Sequence, residues 1–358
     1  MHEHKHNQCK RKVKHRKNVM KLIIFCITVG ISLMFIYYQN LRKEIDARQK
    51  WLETVLTGEK KWILENQGPE GEFYMNGSKA GDVNPYFACM AALGLLAETK
   101  NCPITETEKK AVGRYLDWHT GILLETDGKM GIYRKKSGKL IYKEKADSED
   151  GYLGMYLFLM GKYLEKTEST DLPEYWKKGI SLALKKIQSL MQDGITQVSE
   201  ENTTVYLMDN LEVWKGLYEL EHAGLKDVQA IREMRNKLQA QIEKLFWDDA
   251  NQRWRIIENS DLYHQKEFYP DGVAQIYPLI YEFPVKEKKK QKILYKQFTE
   301  RFQWQKLTKK RNGFLWAMTG MAAAQMGDIN NLLEMIRNYE AEYCENRKYP
   351  LYTGEAGW

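Results

Sequence analysis

The sequence predicts an all-α fold: a closed toroid of sequential helical hairpins, (α/α)6 in form, behind one N-terminal membrane-spanning helix. Three observations predict it. From residue 42 onward apolar residues recur at helical spacing, with strand-poor linkers between the segments. Successive segments alternate between apolar on nearly all faces and apolar on one. Each long linker ends in a carboxylate just ahead of an all-round apolar segment.

The N-terminal element carries the charge imbalance. Residues 1–40 hold eight Lys or Arg and one acid, Glu3, while the remaining 47 basic and 47 acidic residues cancel. A main body of zero formal charge lacks the clustered basic excess that phosphate backbones require, so no nucleic-acid partner is expected. Leu22 to Tyr38, "LIIFCITVGISLMFIYY", is about 17 uncharged residues, near the lower limit for crossing a bilayer. Lys21 suits one interface, and Tyr37 and Tyr38 the other. Basic residues crowd the N-terminal flank, which keeps the tail cytoplasmic and sends the rest outside. "YYQNLRKEID" offers no small-residue cleavage site, so the span reads as an uncleaved anchor. The expected organisation is a basic cytoplasmic tail at 1–21, a transmembrane signal anchor at 22–40, and an extracellular toroid at 41–358 on the cell membrane.

Helices are expected near 42–66, 85–99, 105–120, 149–167, 173–192, 208–223, 226–246, 272–282, 286–303, 313–326 and 328–345, with a twelfth starting around Glu355. "PYFACMAALGLLA", "DGYLGMYLFLMGKYL", "DNLEVWKGLYEL", "DGVAQIYPLIYEF" and "GFLWAMTGMAAAQMG" are apolar nearly all round and must be covered on all sides. The helices between them, such as "LPEYWKKGISLALKKIQSLM", are amphipathic and rich in Lys and Glu. Strict alternation implies an inner layer enclosed by an outer one. An open solenoid would require a fixed repeat period, and the spacing here is irregular.

Cysteine and histidine indicate no further chemistry. Cys9 and Cys26 fall in the tail and span, and Cys89, Cys102 and Cys344 are an odd number without metal-like spacing. His2–His6, "HEHKH", reads as a solvated tail. No metal and no cofactor are expected.

The acids are more informative. Asp82, Asp147 with Asp150, Asp209 with Glu212, and Asp271 stand at the starts of inner helices, and Glu355 stands where the twelfth begins. A single acid there is first of all a cap, worth ~1 kcal/mol, and it suits the helix dipole. The inner starts nonetheless carry more than capping requires: second carboxylates, and aromatics including Tyr152, Trp214 and Tyr269. Inner helices of a toroid start at one end, so these groups would gather on one rim. Carboxylates beside flat rings suit a carbohydrate, whose hydroxyls need acceptors and whose C–H faces pack on aromatic surfaces.

"DSEDGY", "MDNLEVW", "YPDGVAQ" and "GEAGW" at these starts resemble the six-hairpin glycosidase superfamily, over about residues 50 to 358 and most nearly its family 8-like bacterial members. The Ser-Glu-Gly motif of family 8 is absent; Glu72 or Asp82 stands in its region. The resemblance implies a polysaccharide or oligosaccharide hydrolase using one carboxylic acid and one carboxylate, in the inverting arrangement. Asp150 and Asp271 are the expected acid/base pair. Asp147, Asp209, Glu212, Tyr152, Trp214, Tyr269, Gln275, Glu355, Asp82 and Glu72 are the expected sugar-binding groups. Two alternatives stay open: a polysaccharide lyase, with His264 as its candidate base, and a glycan-binding protein without turnover. Zinc-dependent toroids find no ligand spacing.

Overall fold

The computed structural model describes residues 34–358 except 36, 78–80, 137–138, 170, 259–266, 308–310 and 312. The expected tail, most of the expected anchor, Cys9, Cys26 and His264 lie outside the described residues. Among the described residues, no helix is long and apolar enough to cross a membrane. The chain divides into two units, one ending at Leu56 and one spanning Thr57–Trp358. In the first, residues 37–56 are helical and largely exposed.

The second unit begins with helical residues 57–65 (α1) and continues through α2 (Pro85–Leu95), α3 (Glu106–Glu125), α4 (Glu149–Thr167), α5 (Glu174–Leu190) and α6 (Leu207–His222). It then runs through α7 (Gln229–Phe246), α8 (Val273–Ile280), α9 (Lys288–Phe302), α10 (Thr319–Met326), α11 (Ile329–Tyr339) and α12 (Thr353–Gly357). Inner and outer helices alternate as the apolar patterning requires. In α4 almost every residue from Glu149 to Gly161 is buried, whereas α7 buries only Ile231, Leu238, Ile242 and Phe246, one stripe of its surface.

Helix α2 packs on α4, α4 on α6, α6 on α8, and α8 on α10. α12 returns to α2, so the last helix of the chain closes on the first inner one. Close approach makes these contacts. A Cβ on Gly154 of α4 would lie 2.7 Å from backbone atoms of Glu212 and Val213, and one on Gly216 of α6 would lie 2.3 Å from the Gly154 carbonyl oxygen. Any side chain at either position forces the two helices apart. Outer helices are joined by polar side chains: Trp176 of α5 donates its indole N–H to Asp117 of α3 at 2.9 Å, and Tyr339 of α11 donates its hydroxyl to Glu59 of α1 at 2.8 Å.

Two segments depart from the sequence reading. The linker expected to be strand-poor at 121–148 holds a hairpin. Strands β2 (Gly131–Lys136) and β3 (Lys139–Lys145) pair with β1 (Asp82–Val83) in the order β1-β2-β3. Helix α10 starts at Thr319 rather than 313, because the N–H groups of Leu315, Trp316 and Ala317 all donate to the Glu355 carboxylate and Trp316 takes φ +61°. A helix cannot pass through that backbone conformation.

Candidate active site

The starts of α4 and α6 meet at the head of the glycine-packed pair, and there the carboxylates converge. Ser148 caps α4, its hydroxyl oxygen accepting from Gly151 N–H at 3.3 Å. Its own proton reaches Asp150 Oδ1 at 2.8 Å, and Asp209 lies within hydrogen-bonding reach of the same hydroxyl. Asp150 is fully buried and receives two more donors, Gly151 N–H at 2.9 Å and the Thr196 hydroxyl at 2.7 Å. Asn210 holds Thr196 by accepting its N–H at 2.8 Å and donating to its carbonyl at 2.9 Å.

One turn along α6, Glu212 Oε1 accepts from the hydroxyls of Tyr86 at 2.5 Å, Tyr277 at 2.7 Å and Tyr281 at 3.4 Å. Tyr86 comes from α2, Tyr277 from α8, and Tyr281 from the residue that caps the C-terminus of α8. Two inner helices thus supply donors to one carboxylate on a third.

Burial and mutual repulsion give this cluster its electrostatics. Burial pushes the Glu212 carboxyl up to about 7, against the three tyrosine donors and with help from the charges of Asp150 and Asp147. Burial also raises Asp150, to about 6, although Thr196, Ser148 and Gly151 donate to it. Asp209 is raised well above the usual carboxylate range, first by burial and then by the charges of Asp150 and Glu212. Asp147 is exposed. The proton inventory agrees with these directions. Ser148 has one hydroxyl proton for two carboxyls and gives it to Asp150, which also collects Gly151 N–H and the Thr196 hydroxyl, so Asp209 is the carboxyl left with the fewer donors.

The cluster opens into a cleft of about 340 Å3 lined by Asp147, Ser148, Tyr152, Asp209, Glu212, Tyr269, Tyr277 and Glu355, together with Asn84, Tyr86, Phe87, Phe314, Trp316 and Trp358. Among the expected sugar-binding residues, Asp147, Asp209, Glu212, Tyr152, Tyr269 and Glu355 reach this cleft. Asp150 lies just beneath it, bonded to Ser148.

The others are placed elsewhere. Asp271 and Gln275, one helical turn apart, line a separate cleft with residues of α9 and the 251–253 turn. The Gln275 amide is engaged at both ends with the backbone of Trp254. The expected pairing of Asp150 with Asp271 across one opening is therefore not built. Trp214 is core, stacked on Tyr218 and donating its indole N–H to Gln239 of α7. Asp82 is held by Arg134 and Lys143, which keep its carboxyl below the ordinary range. Glu72 is buried, accepts the Tyr74 hydroxyl at 2.7 Å and pairs with Lys135 at 3.6 Å. Tyr277, Trp316 and Phe314 were not anticipated as cleft residues, nor Tyr281 as a partner of Glu212, because each sits in a run that reads as core packing. Among the described residues, no group of His, Cys, Asp and Glu is arranged to hold a metal ion.

No protein-family model matches the chain, and no curated relative does. Solved structures do. A glycosidase variant in complex with glucose matches with a TM-score of 0.59 at 12% identity, over 86% of this chain and 94% of that one. A D-mannose isomerase matches with a TM-score of 0.54 at 10% identity, over 82% and 86%. An α-amylase from Clostridium perfringens matches with a TM-score of 0.51 at 12% identity, over 84% and 95%. At such identities the likeness is one of fold alone: a mostly helical chain built like these carbohydrate-handling neighbours.

Proposed function

We propose that the protein is a glycoside hydrolase, anchored in the cell membrane by residues 22–40 with its (α/α)6 toroid outside. The observation that carries this reading is that Asp147, Asp209 and Glu212 line one aromatic-walled cleft, with Asp150 directly beneath it. Asp209, protonated near neutrality, gives its proton to the glycosidic oxygen as the bond to the anomeric carbon breaks. Asp147, exposed at the cleft edge, takes a proton from the water that attacks that carbon. One sugar leaves with the restored hydroxyl and the other keeps the water oxygen. A water between acid and base is the inverting arrangement. Ser148 turns its hydroxyl toward Asp209 once that group is a carboxylate, and Glu212, fixed by its tyrosines, accepts from a sugar hydroxyl. The glucose held by one structural neighbour adds weight to a carbohydrate ligand.

The lyase alternative needs a side chain able to withdraw a proton from carbon. Tyr86, Tyr277 and Tyr281 are poor choices, since burial and the Glu212 charge raise all three hydroxyls well above their ordinary range. The test is reducing-end release from a polysaccharide panel by the detergent-purified full chain, with ultraviolet absorbance followed in parallel. Hydrolysis lost in Asp209→Asn is the expected result. Unsaturated products, or unchanged turnover in both Asp209→Asn and Asp147→Asn, overturn the assignment.

A further inference from the structure

Glu355 is buried in the cleft wall, but its carboxylate is already committed. Oε1 accepts the backbone N–H groups of Leu315 and Trp316, each at 3.1 Å, and Oε2 accepts that of Ala317 at 2.8 Å. The residue at the centre of this grip, Trp316, has φ +61°, a conformation that a bulky L-residue adopts only when its surroundings impose it. The indole is secured at its far edge as well, its N–H donating to the Arg311 carbonyl at 3.1 Å. The ring is half-buried and lies 4.9 Å from that of Tyr269, with 33° between the planes. Both line the same cleft as Asp209.

We propose that Trp316 is the platform on which a pyranose ring of the substrate stacks, and that Glu355 is a positioning residue that holds it there. This rests on the reading of the cleft as a glycan site. A carboxylate receiving three consecutive N–H groups offsets the strain of the left-handed tryptophan. The strained backbone in turn presents the indole to the cleft instead of letting it join the core. The ligand this selects is a sugar with an unsubstituted, flat C–H face, which packs on an indole while its hydroxyls reach the acids. Glu355 itself meets no sugar.

The probes are β-1,4-linked glucohexaose and mannohexaose, and the readouts are tryptophan fluorescence, calorimetric binding and steady-state kinetics on the full chain. Trp316→Gly removes the ring and suits the backbone angle, so it keeps the fold. It weakens oligosaccharide binding about tenfold or more and abolishes part of the fluorescence change. Trp316→Phe restores most of the affinity. Glu355→Gln leaves one N–H unpaired, raises KM about fivefold and alters kcat less. A collapse of kcat with unchanged KM in Glu355→Gln makes it a catalytic group and overturns the proposal. So does wild-type affinity in Trp316→Gly, or no tryptophan response to either probe. Turnover that survives in Trp316→Gly with unchanged KM removes only the platform. Trp316-dependent binding without any turnover removes only the hydrolase.

Discussion

Asp82 and Asp209 look alike in the sequence, each an acid beside an aromatic-bearing inner helix start, and they have opposite fates. Asp82 sits on a strand edge between Arg134, at 2.6 Å, and Lys143, at 2.9 Å, and its carboxyl is held below the ordinary range. Asp209 sits among Asp150, Glu212 and Asp147, and its carboxyl is raised far above that range. Among the described residues, no ion pair reaches any member of this second set. A carboxylate with cationic partners ties the fold together. One whose neighbours are carboxylates and tyrosines stores a proton.

The largest test of that contrast is on activity. Asp209→Asn lowers kcat by about 10³-fold, the scale of a lost general acid, while Asp82→Asn leaves it within about twofold. Asp271→Asn behaves like Asp82→Asn, since its cleft is a different one. Initial rates on the best substrate of the panel check all three.

Next comes the helix pair that brings the acids together. Gly154→Ala or Gly216→Ala destabilises the protein by about 2 kcal/mol or more, read by denaturant unfolding. If either melts like the parent chain, the close α4–α6 approach is not what builds the site.

A smaller effect is in pH. Glu212 has a folded value near 7 against an ordinary 4.5. Between those two values the folded chain binds more protons than the unfolded one, so stability falls as pH rises through that window. Asp150 and Asp209 act in the same direction. Glu212→Gln removes part of the slope, whereas Asp82→Asn lowers stability by an offset that is constant around neutral pH and disappears only in acid. There, the contribution of its depressed carboxyl, ~1 kcal/mol or less, is lost as pH falls. Denaturation midpoints across pH 4 to 8 separate the two classes.

The alternation of inner and outer helices was legible in the sequence because a helix apolar on every face has only one place to go. Acid convergence at α4 and α6 was legible for the same reason. Which face each residue takes was not. Trp214 lies two residues past Glu212, about 200° round the helix, so when Glu212 faces the cleft Trp214 must face α7. Asp271, in the turn leading into α8, falls on one face with Gln275 through their four-residue spacing, and Tyr277 falls on another with Tyr281, the residue that caps the helix. Choosing which of the two faces inward requires the turn Phe268–Gly272, whose geometry no periodicity records. The hairpin at 131–145 escaped because its exposed strand β3 carries too many charges to show alternation. Trp316 was hidden because its environment is made by Glu355, some forty residues later in the chain.

The central claim is that Asp209 carries a proton at neutral pH. Infrared difference spectroscopy of the wild-type chain against Asp209→Asn at pH 7 tests it without any substrate. A protonated-carboxyl carbonyl band present in the wild type and missing from the variant is the predicted result. A difference confined to carboxylate bands would mean that Asp209 is ionised at rest, and the acid would have to be sought elsewhere in the cleft.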